Sequence, residues 1–451
     1  MPSLPLSRAS MRSESPKSTQ KKSINSQPKA EGGAGCDAQR HAQSRRPAKA
    51  VLGGFLGTNA KSSAASQKDN EKTDLESGEV TGGKAVYGSM LARIQRFIFQ
   101  SVARKFLPMS RTNNCLRLRQ GSKQIQVWQS TEHKTTSYSG LQTCGSVWAC
   151  PVCSAKIAER RRVEIMAAMA AHKAAGGWVN LLTLTAPHQR TDNLKDLLAK
   201  QGLALKYLFQ DWTTRAIFSE MGIIGQIRAL EVTHGRKSEI NNGWHPHYHL
   251  LLFAGIGADL VPSDASKMKD WAVRLYLRCA ACCVRAGLGE PSFAYVLKLD
   301  DGSKAAKYVS KWGLEDEMTK GHTKKALHGE TPFDFLRAYL EDSNDKQAGA
   351  LFKEFAETFK GKRQLHWSAG LKKRYAIGEA TDEEVAAKME DYAALLGTIT
   401  LEQWRDVLRV EGRGNLLYVA STGGWDAVKI YLASIQKSQD KIIEKTDVKN
   451  L

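Results

Sequence analysis

The run WHPHYHLLLF at residues 244–253 sets two histidines inside an otherwise apolar segment. Side chains on a strand alternate faces, so His247 and His249 share one face with their Cα atoms about 6.6 Å apart, and Tyr248, Leu250 and Leu252 take the other. Polar groups at core-like positions need partners. The preceding strand-like run, IGQIRALEVTH (224–234), carries one carboxylate, Glu231, among apolar neighbours, and GRKSEINNG joins the two runs. A hairpin folded about residue 239 sets Glu231 directly across from His247 on the same face. One carboxylate and two imidazoles with open coordination positions suit Mg²⁺ or Mn²⁺ shared with a phosphate oxygen better than a closed zinc site. His245 has the same parity and competes as a ligand, with Pro246 expected to break the strand beside it.

The flanking text fixes the fold class. WVNLLTLTA (178–186) reads as a strand, 193–221 as helix, the hairpin follows, 264–286 reads as a second helix and FAYVLKL (293–299) as a last strand. This β-α-β-β-α-β order is the split βαβ, ferredoxin-like or RRM-like α+β arrangement with an antiparallel sheet. A basic helical stretch from Ser154 to His172, stopped by Gly176 and Gly177, precedes it, and a short helix from about Ser303 to Trp312 follows. FDFLRAYL, KQAGALFKEFAETF and TDEEVAAKMEDYAALL read as amphipathic helices of a mixed α/β C-terminal region.

The chain therefore divides into a disordered basic tail (1–84), an N-terminal region with a Cys-rich zinc module (85–153), the core with its preceding basic helix (154–320), a basic helical extension (321–380) and a small terminal module (381–451). The tail has one aromatic, Phe55, before residue 81, too little apolar area to offset the entropy of ordering it. Lys and Arg number 66 against 46 Asp and Glu, a formal charge of +20, of which the first 80 residues carry +5. A basic surface on the folded part implies an anionic partner. Gly78 to Lys84 spells GxxxxGK, but Ala85 follows where a phosphate loop needs Ser or Thr, and no buried strand precedes it. No apolar run is long enough to span a bilayer or form a signal-peptide core, so a cytoplasmic protein without a membrane partner is expected.

Cys144-x5-Cys150-x2-Cys153 supplies three thiolates, the last two at zinc-knuckle spacing, and Cys115 is the candidate to close a tetrahedral structural Zn²⁺ site, with His133 or His172 as substitutes. Such a site would pin the loop before Arg160, Arg161 and Arg162, a candidate duplex-contact surface. Cys279, Cys282 and Cys283 have the spacing of one helix face and read as core. In SKAAKYVSKW, Lys304, Tyr308 and Lys311 share one helix face, where cations favour the phenolate and can hold a phosphodiester. GKRQLHWSAGLKKR (361–374) offers Lys362, Arg363, Lys372, Lys373 and Arg374 with His366 and Trp367 as a DNA-contacting segment.

Thr183-Leu184-Thr185, HPHYH and YVSKW, in that order, resemble the HUH endonucleases, specifically the replication initiators of rolling-circle bacterial plasmids. The resemblance runs from about Cys115 to Tyr375 and includes CGSVWACPVC and GKRQLHWSAGLKKR. It implies an HUH nuclease core in which His247 and His249 hold the metal and Tyr308 is the nucleophile. The implied activity is metal-dependent nicking of a single-stranded or hairpin-extruded plasmid origin, giving a 5′-phosphotyrosine and a free 3′-OH primer, with strand transfer and ligation at termination. Implied partners are a host helicase and the bacterial replication machinery. Conjugative relaxases put the tyrosine before the histidines, whereas Tyr308 follows them. Some relatives carry an acidic residue one helical turn before the tyrosine; Lys304 stands there, leaving Asp300, Asp301, Glu315 and Glu317 as candidates for the terminating step. The alternatives are a non-catalytic zinc-containing nucleic-acid-binding regulator and a transposase of the same superfamily.

Overall fold

The computed structural model describes residues 83–238, 241–255, 270–292, 297–301, 329–388 and 392–447, all within one unit, Gly54–Leu451. The expected tail up to residue 82 and the tyrosine helix with Lys304, Tyr308 and Lys311 lie outside the described residues. Helices α1 (Gly83–Phe106) and α2 (Arg111–Asn114) lead into the hairpin of β1 (Ile125–Ser130) and β2 (Thr136–Ser139). Helix α3 (Pro151–Ala174) begins three residues before Ser154, because Pro151 suits a first helical turn whose N–H has no intrahelical partner. Strand β3 (Trp178–Thr185) follows. The helical text after it is two helices, α4 (Leu194–Gln210) and α5 (Trp212–Glu220). Asp211 separates them: its backbone is extended, and its carboxylate accepts from Thr214 N at 2.8 Å. Its other oxygen accepts from Arg278 Nη2 at 2.6 Å.

Next come β4 (Ile223–His234), β5 (Trp244–Ala254), α6 (Asp270–Arg285) and β6 (Leu297–Asp301), then α7 (Pro332–Glu341), α8 (Lys346–Thr358), β7 (Leu365–Trp367) and α9 (Leu371–Arg374). The chain closes with α10 (Asp382–Ala387), β8 (Ala393–Ile399), α11 (Leu401–Arg409) and α12 (Arg413–Asp447). The main sheet has the order β6-β3-β5-β4-β7, with every pair antiparallel. Its first four strands interleave two split β-α-β units, the order expected from the sequence. Strand β7 was not expected: LHW, inside the basic segment, adds a fifth strand beside β4.

The two faces of β5 are covered differently. Leu250 and Leu252 pack with Leu182 and Leu184 against Leu205, Leu208, Ile217 and Leu275 of α4, α5 and α6, a layer that also takes in Cys279 and Cys282. On the opposite face, Leu251 and Phe253 pack with Val179 and Leu181 against Ile165, Ala168 and Met169 of α3. That second face turns polar toward the start of β5, where His249 and His247 succeed the apolar pair. Arg236 fixes the hairpin turn, bonding Glu330 at 2.8 Å and Asp345 at 2.7 Å while only 8% exposed.

The second sheet joins the ends of the chain. Strand β8 pairs antiparallel with β1 in the order β2-β1-β8. One core of Phe97, Ile125, Val127, Tyr138, Trp404, Val407, Leu416 and Val428 lies beneath it. AALL, the end of the segment TDEEVAAKMEDYAALL read as helix, opens the strand AALLGTI instead, because the open edge of β1 supplies backbone partners that local propensity does not register. Among the described residues no helix is long and apolar enough to cross a membrane.

Candidate active site and cysteine centre

The hairpin register pairs Glu231 with His247, Ala229 with His249 and Thr233 with His245, as the midpoint at residue 239 predicts. On the other side of β5, Thr183 pairs with His249 and Thr185 with His247. The carboxylate and both imidazoles consequently meet: Glu231 Oε2 lies 3.2 Å from His247 Nε2 and 2.8 Å from His249 Nε2. All three donor groups fall within 4.8 Å of one another. An octahedral ion with bonds of about 2.1 Å separates neighbouring donors by about 3.0 Å, so the set fits one face of Mg²⁺ or Mn²⁺. His249 is 4% exposed, His247 12% and Glu231 33%, which leaves the carboxylate side open to a substrate. Burial on its own raises the Glu231 carboxyl, but hydrogen bonds and charge from His247 and His249 outweigh it and hold the group far below the usual carboxylate range.

Thr183 Oγ1 lies 2.9 Å from His249 Nδ1. With Nδ1–H donating to that hydroxyl, the Nε2 lone pair is left for a cation. This gives the Thr-Leu-Thr strand a physical task that its sequence alone does not reveal. Thr183→Val keeps the β-branched shape and removes the oxygen; it should weaken Mn²⁺ binding about tenfold by calorimetric titration, with an unchanged far-ultraviolet spectrum.

His245 stands outside the converging set. Its Nδ1 is 3.3 Å from Nε2 of His188, a residue the sequence offered no reason to select. Burial, with His247 and His188 adding to it, pushes His245 down to about 4. Pro246 does not break the strand as expected: it pairs with Val232 one residue beyond the last β3 pair, where β5 has a neighbour on one side only and the missing N–H interrupts no second ladder.

The four cysteines come from separate places. Cys115 follows α2, Cys144 lies in the loop before α3, and Cys150 and Cys153 stand at that helix's N-cap and first turn. Sγ separations are 3.5 Å for Cys115 to Cys153, 3.6 Å for Cys144 to Cys153 and 3.8 Å for Cys150 to Cys115. Tetrahedral Zn–S bonds of about 2.3 Å space sulfurs by about 3.8 Å, so the donor set fits zinc. The α3 N-terminus further favours thiolate. Burial raises the Cys150 thiol, yet hydrogen bonds from Cys115, Cys144 and Cys153 leave it well below its ordinary value. Neither histidine substitute joins them. His172 Nε2 faces the carbonyls of Ala254 at 2.8 Å and Trp178 at 3.1 Å, with the Tyr375 hydroxyl 2.8 Å from Nδ1, and His133 lies beside Glu132 at the surface.

The basic residues divide. Arg161 bonds Glu164 and Asp382, both at 3.0 Å, and is 13% exposed; Lys372 is 11% exposed beside Glu379 and Glu164. Both converge on Glu164, which is 2% exposed, and so brace α3 against the segment after β7. Arg160 pairs with Glu164 and Arg162 with Glu159. Lys362, Arg363, Lys373 and Arg374 are exposed, with His366 beside them on β7.

Residues 139–256 match the model of a family described as replication protein. The span holds three of the cysteines, the Thr-Leu-Thr strand, Glu231, His247 and His249. A Streptomyces lividans relative, Protein rep, is 37% identical over 147 residues, 27% of this chain and 31% of that protein. A Streptomyces cyanogenus relative, Neomycin resistance protein, is 35% identical over 140 residues, 26% of this chain and 31% of its own. The chain thus spans about a third of the length of these relatives. No solved structure matches. Residues 139–256, with the Glu231, His247 and His249 site inside them, are similar to the replication-protein family.

Proposed function

We propose that this protein is a plasmid rolling-circle replication initiator with an HUH nuclease core, which nicks one strand of its origin by metal-dependent attack of Tyr308. The convergence of Glu231, His247 and His249 within the span shared with replication proteins carries this reading. Those three residues would hold Mg²⁺ or Mn²⁺, which when bound would polarise the scissile phosphate. Thr183 orients His249, and Lys304 and Lys311 favour the Tyr308 phenolate and hold the phosphodiester. The phenolate oxygen attacks phosphorus, the bond to the 3′ oxygen breaks, and that oxygen takes a proton to become the 3′-OH primer. The 5′ end stays on Tyr308 as a phosphotyrosine. A second transfer reseals the strand at termination. Zinc in the four-cysteine centre is structural.

A tyrosine reaches its phosphate only in an exposed strand, so the substrate is a single-stranded or hairpin-extruded plasmid origin in a bacterial cytoplasm. Strand separation falls to a host helicase of the replication machinery, as GxxxxGK is no phosphate loop. Incubation with a 5′-labelled origin oligonucleotide, with and without Mn²⁺, tests the proposal. Cleavage that depends on the ion is expected; tight binding without cleavage under any divalent ion would favour the regulator instead.

A further inference from the structure

Arg413, the first residue of α12, is fully buried, at 0% exposure. Its Nη1 donates to Gln100 Oε1 at 2.7 Å and also reaches the carbonyls of Leu116 at 3.2 Å and Cys115 at 3.4 Å. Gln100, equally buried, in turn donates from Nε2 to Cys150 Sγ at 3.1 Å. Nη2 meets Ser101 Oγ and Glu411 Oε2, each at 3.3 Å. Glu411 is 40% exposed and shared with Arg104, so it offsets the buried guanidinium only in part.

The compensating charge lies on the other side. Four thiolates around one divalent ion carry a net charge of −2, and these cysteines are 0% to 4% exposed. A dianion so far from water needs donors on its sulfurs and positive charge close by. Gln100 supplies the donor, and Arg413, one hydrogen bond behind it, supplies the charge. We infer that Gln100 and Arg413 form the outer layer of the four-cysteine zinc centre, so that the C-terminal helix α12 helps to retain a metal whose ligands all lie more than 250 residues earlier in the chain. This rests on the centre holding a divalent ion, as proposed above.

The test uses full-length protein purified with zinc: metal content by mass spectrometry, then the rate of zinc transfer to a colorimetric chelator. Wild-type chain should hold zinc in the four-cysteine centre. Arg413→Met and Gln100→Leu should release it at least about tenfold faster, and their cobalt-substituted forms should show a shifted thiolate-to-cobalt absorption band. Arg413→Lys should recover part of the loss. Val407→Ala hollows the core beneath the second sheet, which holds none of the four cysteines; it should lower the melting temperature and leave the release rate unchanged. Release at the wild-type rate in both outer-layer variants, or equally fast release from Val407→Ala, overturns the inference while leaving the zinc centre standing. Wild-type chain without zinc removes the centre itself and the inference with it.

Discussion

Alanine at His249 or Glu231 should lower single-turnover strand cleavage by at least about 100-fold at saturating Mn²⁺, with origin binding nearly intact. Glu231 Oε2 is shared between His247 and His249, so losing either the carboxylate or a ring removes a donor that the remaining two cannot replace. A metal that polarises a phosphoryl oxygen contributes several kcal/mol, and about 2.7 kcal/mol is a factor of 100 in rate. On the proposed reading binding has a different source, phosphate contacts by exposed cations such as Lys373 and Arg374, and should weaken steeply with salt in variant and wild type alike. His245→Ala should cost less, since that ring faces His188 and not the carboxylate. Normal cleavage by Glu231→Ala at limiting Mn²⁺ would place the third ligand outside the hairpin.

The second large effect concerns the cysteines. Cys115→Ser, or zinc withdrawal by a strong chelator, should lower the midpoint of thermal unfolding by roughly 10 °C or more, because structural zinc contributes its binding energy to folding. The centre gathers the chain after α2, the loop at Cys144 and the start of α3, with Val385 and Ala386 of α10 packed over it. Loss should therefore spread into the β2-β1-β8 sheet, read as increased amide exchange at Val127 and Ile399, both buried there. An unchanged midpoint after complete zinc removal would make the four thiols ordinary core residues.

How much of this was legible in the sequence depends on the range of the interaction. The hairpin register was legible because one buried face permits no slip: a shift by one residue would turn His247, His249 and Glu231 to the opposite side. The split βαβ order followed from local periodicity, and the convergence of Cys150 and Cys153 from their spacing, which sets both at the start of one helix. What stayed hidden was tertiary. The break at Asp211 looks like continuous helix until Arg278 and Thr214 compete for its carboxylate. AALLGTI becomes strand only beside β1. Arg161 reads as a surface cation because nothing local announces that Glu164 is buried beneath it. Thr183, His188 and Arg413 act through partners 57 to 313 residues away, beyond any local pattern.

Under the proposed mechanism Tyr308 becomes covalently joined to DNA. The most direct measurement is peptide mapping by mass spectrometry after reaction with a single-stranded origin oligonucleotide in Mn²⁺. The expected result is a phosphodiester-linked nucleotide on the peptide containing Tyr308, no adduct in the Tyr308→Phe protein, and origin binding close to wild type in that variant. An undiminished adduct in Tyr308→Phe, or cleavage that leaves no protein-bound 5′ end, would contradict it.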